Sequence, residues 1–256
     1  MSTHAPLSGK VALITGASKG IGAATALELA SLGAKVVINY STNSEPANAL
    51  VDKIGSSNAI AIKADASSIP EIERLVKETV DAFGGIDILI PNAGVMYNMD
   101  LESTTEEAWD RTMAVNVKGP YFLVQKAVPH MNPGSHIILL STSLCAVSVI
   151  TPNYLLYVHS KGAIEQMVRV LAKDLGRKGI VVNGVAPGPT GTELFYQGKS
   201  EQLVKQIAST NPFNKIGEPE QIARALAFLS GGDGKGGVWV NGQIVRVNGG
   251  MTVGAN

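Results

Sequence analysis

Tyr157 and Lys161 are the residues of this chain whose types and spacing best fit a chemical role. They lie four positions apart, so a helix would place the phenol and the ammonium on one face. A phenol in water titrates near pKa ~10, and a fixed cation close by favours the phenolate. The pair could therefore exchange protons with a substrate near neutral pH, although the same spacing on a helix is more often an ordinary surface contact.

A glycine-rich turn near the start of the chain strengthens the interpretation of Tyr157 and Lys161 as a catalytic pair. An apolar run at 10–15 predicts a buried strand, and a helical pattern follows the glycines at 16, 20 and 22. Glycines at a strand-to-helix turn allow close approach of the backbone to a pyrophosphate, which the N-terminus of the helix favours. The spacing Gly-x-x-x-Gly-x-Gly departs from the commoner Gly-x-Gly-x-x-Gly fingerprint, so the glycines alone are weak evidence. The prediction of dinucleotide binding depends on the strand before them and the helix after them.

Length and composition fit one globular domain of enzyme size. The chain has 256 residues, 45% hydrophobic and 16% charged, which suffices for a large core without division into several domains. Lysine plus arginine equals aspartate plus glutamate at 21 each, so charge favours neither nucleic acid nor an anionic membrane as partner, and we expect a small molecule. The single cysteine, Cys145, excludes an internal disulfide and a cysteine-based metal cluster, and we expect no metal site.

Strand-like and helix-like segments alternate along the chain, a pattern typical of a parallel sheet covered on both faces. After the run at 10–15, the predicted strands are 35–39, 59–63, 87–91, 136–141, 180–185 and 244–247. The predicted helices are 20–32, 45–55, 70–83, 105–129, 155–177 and 219–230. We therefore predict a single α/β domain over residues 1–256, with a doubly wound parallel sheet of about seven strands of the Rossmann type.

Three segments fall outside that alternation. The irregular segment at about 188–218 is longer than ordinary connections and is a candidate substrate lid. A glycine-rich tract at 231–237 is expected to form a surface turn before the last strand. The first nine residues lack the apolar core of a signal peptide, and no apolar run is long enough to span a bilayer, so we expect a cytoplasmic protein.

Six motifs in order resemble the signature of the short-chain dehydrogenase/reductase family over nearly the whole chain. They are Thr15-Gly16-Ala17-Ser18-Lys19-Gly20-Ile21-Gly22, Asn92-Ala93-Gly94, Asn116, Ser143, Tyr157 with Lys161, and Pro187-Gly188 followed by Thr192. Each motif alone is modest, but the full set in this order is very hard to obtain by chance. Within the family, the chain is most similar to NADPH-dependent carbonyl reductases of the fungal polyketide type, such as naphthol reductases, and to plant aldehyde reductases.

The resemblance implies a catalytic set of Asn116, Ser143, Tyr157 and Lys161. Ser143 would hold the substrate carbonyl against Tyr157, which would donate a proton as hydride arrives from the nicotinamide. Lys161 would bind the nicotinamide ribose and lower the pKa of Tyr157, while Asn116 would position a water that relays protons to Lys161. Ser141 is the alternative for the serine role; the spacing of fourteen positions from Ser143 to Tyr157 matches the naphthol-reductase relatives.

The expected cofactor is NADP(H). NAD enzymes of this shape usually end the second strand with an acid that binds the ribose 2′-hydroxyl, whereas here no acid occurs before Glu45. Lys19 could bind the 2′-phosphate of NADPH with its positive charge. Alternatively, Lys19 is a solvated loop residue, and NADPH and NADH bind similarly. The residues expected at the cofactor are Gly16, Ser18, Lys19, Gly20, Ile21, Gly22, Asn39, Tyr40, Ser41, Asp65, Ala66, Asn92, Ala93, Gly94, Tyr157, Lys161, Pro187, Gly188 and Thr192, with Thr190 as the alternative to Thr192.

The predicted activity is reversible reduction of a ketone or aldehyde by NADPH, with Tyr157 as general acid and base. The residues expected around the carbonyl are mostly apolar or aromatic, which favours a small hydrophobic substrate: Val95, Met96, Tyr97, Ser143, Leu144, Cys145, Tyr154, Phe195 and Tyr196. The alternatives are a 3-oxoacyl, sugar or polyol substrate, or a catalytically silent NADP-binding sensor or scaffold. The resemblance also implies a homo-oligomer, a tetramer or a dimer, in which the helices at 105–129 and 155–177 pack against their symmetry mates.

Overall fold

Seven parallel strands form one sheet in the computed structural model, which describes residues 5–232 and 239–253. The strands are β1 (Val11–Ile14), β2 (Lys35–Tyr40), β3 (Ala59–Lys63), β4 (Ile88–Ile90), β5 (His136–Leu140), β6 (Val181–Pro187) and β7 (Ile244–Val247). Their order across the sheet is β3-β2-β1-β4-β5-β6-β7, and every pairing is parallel. The predicted doubly wound, seven-stranded Rossmann-type fold is confirmed.

Helices connect the strands and cover both faces of the sheet. They are α1 (Gly20–Ser31), α2 (Glu45–Ile54), α3 (Ile69–Phe83), α4 (Glu106–Met113), α5 (Gly119–Ala127), α6 (Leu155–Gly176), α7 (Glu193–Tyr196), α8 (Glu201–Ala208) and α9 (Pro219–Leu229). None of these described helices is long and apolar enough to cross a bilayer.

The core consists of two apolar layers, one on each face of the sheet. Successive side chains of a strand point to opposite faces, so Leu13 joins one layer and Ile14 joins the other. The first layer packs β1 to β6 against α3, α5 and α6, and the second packs the sheet against α1 and α9. Strands such as β1 and β5 are buried along their whole length, which explains their continuous apolar sequences. The sheet is therefore a rigid base for side chains at its carboxyl edge.

The long helix predicted at 105–129 is interrupted, and this expectation is corrected by the structure. The π-helical turn Ala114–Lys118 separates α4 from α5. Pro120 lacks the N–H that would bond the carbonyl of Asn116 in a regular helix, so the regular ladder cannot continue there. A Cβ at Gly119 would lie 2.1 Å from the carbonyl oxygen of Ala66, so only glycine fits this crossing. The interruption places Asn116 in the middle of the widened turn.

The candidate lid is more ordered than its sequence indicates. It contains the short helices α7 and α8, whose first turns are capped by the hydroxyls of Thr192 and Ser200. Thr190 forms an isolated parallel bridge with Gly217, which ties the two ends of the segment together. Most of the glycine-rich tract at 231–237, expected to be a surface turn, lies outside the described residues, as do residues 1–4.

Candidate active site

The predicted motifs meet at the carboxyl edge of the sheet. The glycine loop follows β1, Asn92 follows the neighbouring β4, and Ser143 follows β5. From β1 the chain continues to β2 and β3 on one side of the sheet, and from β4 it continues to β5, β6 and β7 on the other side. The order of strands therefore reverses between β1 and β4. In sheets of this kind, such a junction opens a crevice at the carboxyl ends of the strands, where ligands bind.

The glycine loop is pressed tightly against the segment after β4. Gly16 and Gly20 adopt left-handed backbone conformations, with φ of 61° and 58°. A Cβ at Gly22 would lie 2.5 Å from the carbonyl oxygen of Gly16 and 2.6 Å from Nδ2 of Asn92. These contacts leave no room for side chains, and α1 begins with no acidic residue and no side-chain cap, so its N-terminal amides suit an anion.

Thr15 and Asn92 fix the loop by hydrogen bonds. The Asn92 amide donates to the carbonyls of Thr15, at 2.9 Å, and Gly16, at 3.0 Å. The Thr15 hydroxyl accepts from the backbone N–H groups of Asn92 and Ala93, both at 3.1 Å. Thr15 was not among the predicted site residues, and its place as the last residue before the glycines is the signal that could have found it.

Asn39 supports the loop with a side chain that is already fully engaged. It is 2% exposed, and its Oδ1 accepts from the N–H of Gly16 at 3.2 Å. Its Nδ2 donates to the carbonyls of Ile62, at 3.2 Å, and Ala64, at 3.0 Å. The side chain of Asn39 therefore supports the glycine loop, and contact of this residue with the cofactor stays a prediction. Tyr40 is partly buried and Ser41 is exposed at the strand end.

Lys19 and Thr192 bring the candidate lid into contact with the glycine loop. The Lys19 ammonium donates to Oε2 of Glu193 at 2.6 Å, and both side chains are largely exposed. A Cβ at Gly20 would lie 3.2 Å from Cγ2 of Thr192. The alternative residue Thr190 is 5% exposed and donates to the carbonyl of Gly188 at 2.9 Å. Of the two threonines, Thr192 is therefore the one that faces the glycine loop.

Asp65 and Ala66 follow β3 and lie beside α4 and α5. The Asp65 carboxylate accepts from the hydroxyl and N–H of Ser67, at 2.7 and 2.8 Å, and from Arg111 at 3.3 Å. Burial pushes the pKa of Asp65 upward, but the Ser67 hydrogen bonds and the Arg111 charge outweigh it and hold the pKa below its ordinary value. The carboxylate is therefore charged and held in one orientation after β3, where contact with the cofactor is predicted.

Tyr157 and Lys161 lie on one face of α6, as their spacing predicts. The Lys161 ammonium is 5.8 Å from the centre of the Tyr157 ring and donates to the carbonyl of Leu140, at the end of β5, at 2.8 Å. Lys161 is only 5% exposed, and Tyr157 is partly buried. The helix and the end of β5 therefore hold the two groups at the crevice together.

Burial acts on the two groups in opposite senses. It raises the pKa of Tyr157 to about 12, against a smaller lowering by the Thr142 hydrogen bond. It lowers the pKa of Lys161 to about 8. The expected lowering of the Tyr157 pKa by Lys161 stays a prediction, because in the protein by itself burial is the largest influence on that pKa and acts in the opposite direction. On raising the pH, the first proton to leave this pair comes from Lys161.

Asn116 ties the crevice to the tyrosine helix. Its Oδ1 accepts from the N–H of Val95 and its Nδ2 donates to the Val95 carbonyl, both at 2.9 Å. Nδ2 also donates to the Ser160 hydroxyl at 3.0 Å, and that hydroxyl donates to the Tyr157 carbonyl at 2.7 Å. A Cβ at Gly94 would lie 3.4 Å from Oδ1 of Asn116 and 3.7 Å from the Lys161 nitrogen. Asn116 and Lys161 therefore flank the same glycine.

No hydrogen bond joins Ser143 to Tyr157 among the described residues. It is 1% exposed, its hydroxyl donates to the carbonyl of Ala186 at 3.0 Å, and it accepts from Nδ2 of Asn248 at 3.0 Å. The alternative residue, Ser141, donates to the Glu165 carboxylate at 2.8 Å. Asn248 was missed, because nothing in the local sequence indicates that Ser143 pairs with a residue 105 positions away.

The structure places the predicted substrate residues in three different surroundings. Cys145 and Tyr154 lie close enough to Tyr157 for their charges to affect its ionisation. Burial and the nearby Glu165 carboxylate raise the pKa of the Cys145 thiol, which disfavours the reactive thiolate. Phe195 lies in the lid, where its ring is 5.1 Å from that of Tyr196 and 5.0 Å from the Lys199 ammonium. Met96 and Leu144 are partly buried, and Tyr97 is 37% exposed.

This arrangement combines a neutral proton donor, a buried cation and an anion-binding loop along one crevice. At neutral pH, Tyr157 keeps its proton and Lys161 is largely charged, as their pKa values of about 12 and about 8 require. A protonated phenol beside a crevice can deliver a proton to a developing oxyanion. The site is therefore equipped for acid catalysis at a carbonyl oxygen.

Comparisons with known proteins agree with this geometry. Residues 16–252 match the family described as enoyl-(acyl carrier protein) reductase. The chain is 43% identical over 264 residues to the short chain dehydrogenase mdpC of Emericella nidulans, covering 97% of this chain and 98% of that one. It is 40% identical over 262 residues to the hydroxynaphthalene reductase-like protein Arp2 of Metarhizium anisopliae, covering 97% of each. A solved short chain dehydrogenase from Burkholderia cenocepacia in complex with NADP superposes with a TM-score of 0.90 at 35% identity, over 97% of this chain and 100% of that one.

Proposed function

Since the chain belongs to the short-chain dehydrogenase/reductase family of oxidoreductases, we propose that it is an NADPH-dependent carbonyl reductase in which Tyr157 is the proton donor. The observation that carries this proposal is the position of Tyr157 and Lys161 on α6, facing the crevice beside the glycine loop. A pKa of about 12 supports reduction as the favoured direction, because the phenol is protonated at neutral pH and the phenolate needed for oxidation is scarce.

When bound, NADPH supplies a hydride to the carbonyl carbon of the substrate. Tyr157 donates its proton to the carbonyl oxygen, because an alkoxide is a stronger base than a phenolate even when the pKa of the phenol is about 12. Lys161 would hold the ribose hydroxyls of the cofactor, and its charge would stabilise the phenolate that this transfer leaves behind. Asn116 holds the segment after β4 against α6, so that Gly94 stays close to Lys161.

The glycine loop supports binding of the cofactor pyrophosphate. Its glycines have no side chains to cover the backbone, and the N-terminus of α1, which no side chain caps, offers N–H groups to an anion. We assign Lys19 to the 2′-phosphate of NADPH. In the protein by itself its ammonium is paired with Glu193, so the phosphate would compete with this carboxylate. Such exposed pairs contribute little stability, so the competition favours the doubly charged phosphate.

The substrate we propose is a small, mainly hydrophobic ketone or aldehyde, with hydroxyaryl ketones of the hydroxynaphthalene type as the first choice. The similarity to hydroxynaphthalene reductase-like proteins supports this class. Partly buried Leu144, Tyr154 and Phe195 offer an apolar wall. A sugar or polyol substrate would need several polar partners, and among these three side chains only Tyr154 carries a polar group.

We also propose a cytoplasmic homo-oligomer, a tetramer or a dimer. Large apolar side chains remain exposed on α4, α5 and α6: Trp109 is 41% exposed, Tyr121 is 51% exposed and Val170 is 69% exposed. Exposed apolar side chains concentrated on neighbouring helices support burial against symmetry mates.

The test of the proposal is consumption of NADPH with a panel of hydroxyaryl ketones, quinones and aromatic aldehydes. We expect turnover with at least one aromatic ketone, and a kcat/KM for NADPH at least about tenfold above that for NADH, because a charge-assisted contact with the 2′-phosphate is lost with NADH. Bound NADPH without turnover on any member of the panel would instead favour the silent sensor or scaffold.

Lys19→Gln and Glu193→Gln are matched variants for the cofactor assignment. Lys19→Gln should lower kcat/KM for NADPH about tenfold and leave NADH unchanged, since only NADPH carries the phosphate. Glu193→Gln frees the Lys19 ammonium and should keep or slightly improve NADPH use. Equal losses with both cofactors in Lys19→Gln would contradict the assignment of Lys19.

A further inference from the structure

The helix α7 of the candidate lid has little packing to hold it in place. None of its residues is buried, and the next helix of the candidate lid, α8, has no buried residue either. Its hydrogen bonds are mostly local, since Thr192 caps its first turn and the Lys199 ammonium donates to the carbonyl of Phe195 at 2.7 Å. A segment with few buried apolar contacts opens at a small cost in free energy. A single contact with another element can therefore determine how often α7 leaves its place.

The ion pair between Lys19 and Glu193 is such a contact. Lys19 directly precedes α1 in the glycine loop, and Glu193 is the first residue of α7. Among the described residues, this is the only ion pair that joins the candidate lid to another part of the protein. Beside it, a Cβ at Gly20 would lie 3.2 Å from Cγ2 of Thr192. The start of α7 therefore lies against the residues proposed to bind the cofactor.

A phosphate bound at Lys19 changes the charge that Glu193 meets. The ammonium has three donors, so it could contact a carboxylate and a phosphate at the same time. The two anions would then lie within a few ångströms of each other, and a 2′-phosphate brings nearly two negative charges against the single positive charge of Lys19. Repulsion therefore moves Glu193 away when the phosphate binds. NADH carries an uncharged hydroxyl at the same position and exerts no such repulsion.

We propose that the Lys19–Glu193 ion pair couples the identity of the cofactor to the candidate lid: NADPH separates the pair and releases α7 from the glycine loop, whereas NADH leaves it intact. The proposal rests on the function proposed above, through the assignment of Lys19 to the 2′-phosphate. Phe195 and Tyr196 lie on α7 and are expected at the substrate, so these side chains become free to adjust to a substrate once NADPH has bound. The coupling is reciprocal, so the ion pair weakens NADPH binding by the same factor by which NADPH releases α7.

The experiment measures chymotrypsin cleavage after Phe195 and Tyr196 in the full chain, with either NADPH or NADH at a saturating concentration. Cleavage within a folded protein requires local opening, so its rate reports how often α7 leaves its place. The two cofactors differ only in the phosphate, so their comparison within one protein cancels shielding of the site by the rest of the cofactor. We expect the wild type to be cleaved about two- to fivefold faster with NADPH than with NADH, the range that an exposed ion pair supports.

Two glutamine variants of the candidate lid test the role of Glu193. Glu193→Gln has no ion pair to separate, so its cleavage rates with NADPH and NADH should be equal. NADPH should bind this variant about two- to fivefold more tightly than the wild type, with NADH binding unchanged. Glu201→Gln is the matched control, because Glu201 is the exposed first residue of α8 and makes the same change of charge. It should keep the wild-type ratio of cleavage rates.

Equal cleavage of the wild type with the two bound cofactors would overturn the proposal, as would faster cleavage with NADPH that persists in Glu193→Gln. Failure of the wild type to bind NADPH would overturn both this coupling and the proposed function. A protein that binds NADPH, shows the expected ratio of cleavage rates and reduces nothing would keep the coupling and lose the carbonyl reductase function. An active reductase with equal cleavage rates would keep the function and lose the coupling.

Discussion

Tyr157→Phe should lower kcat for carbonyl reduction about 10²–10⁴-fold, the usual range for loss of a general acid. Phenylalanine keeps the ring and its packing but removes the phenolic hydroxyl, and with it the proton that we assign to the substrate oxygen. Affinity for NADPH should change little, because the glycine loop and Lys19 do not contact this hydroxyl. Steady-state NADPH oxidation, together with NADPH binding followed by fluorescence, measures both quantities.

Tyr121→Phe is the matched control for that variant. Tyr121 lies on α5, is 51% exposed and has its ring 5.3 Å from that of Phe122. We expect normal turnover from Tyr121→Phe. Equal activities of Tyr157→Phe and the wild type would show that another group donates the proton.

Lys161→Met should be the second most damaging change, with kcat lowered about 100-fold or more, since the phenolate left by proton transfer loses its buried cation. In the wild type, reduction should decline above about pH 8, where Lys161 loses its charge while Tyr157 still holds its proton. This decline in kcat arises because Lys161 and Tyr157 titrate as a coupled pair. The residual activity of Lys161→Met should therefore not show it. A pH profile of kcat for both proteins measures this.

The free energy of unfolding gives a second check on Lys161. Its pKa is lowered from 10.5 to about 8 in the folded protein, so between these values the unfolded chain holds a proton that the folded chain has lost. Unfolding therefore becomes less favourable as the pH rises through this window, by up to about 3 kcal/mol. Lys161→Met should lack this rise, and an identical slope in both proteins would mean that Lys161 titrates normally.

The parts of the fold that the sequence predicts are those set by local patterns. Continuous apolar runs mark β1 and β5 because both faces of a parallel sheet are covered. Glycines at 16 and 20 mark the turn after β1 because both residues need a left-handed backbone. The shared face of Tyr157 and Lys161 follows from helical spacing alone. Most predicted strand limits therefore fall within one or two residues of those observed.

The parts that the sequence does not predict depend on contacts between distant residues. The direction of the Ser143 hydroxyl is set by Asn248, 105 positions away, so spacing to Tyr157 could not indicate it. Lys19 meets Glu193 across 174 positions, which ties the glycine loop to the lid. The break between α4 and α5 depends on the approach of Ala66 to Gly119, although Pro120 is a local sign of it. Each of these features arises from packing between elements rather than from the pattern within one.

The central claim is that hydride passes from NADPH to a carbonyl carbon while Tyr157 supplies the proton to the oxygen. The most direct measurement uses NADPH deuterated at the position that gives hydride, the best ketone of the panel, and mass spectrometry of the product from the wild type and Tyr157→Phe. We expect one deuterium on the carbinol carbon of the wild-type product and almost no product from Tyr157→Phe. Oxidation of NADPH without deuterium in the product, or equal yields of labelled alcohol from both proteins, would contradict the claim.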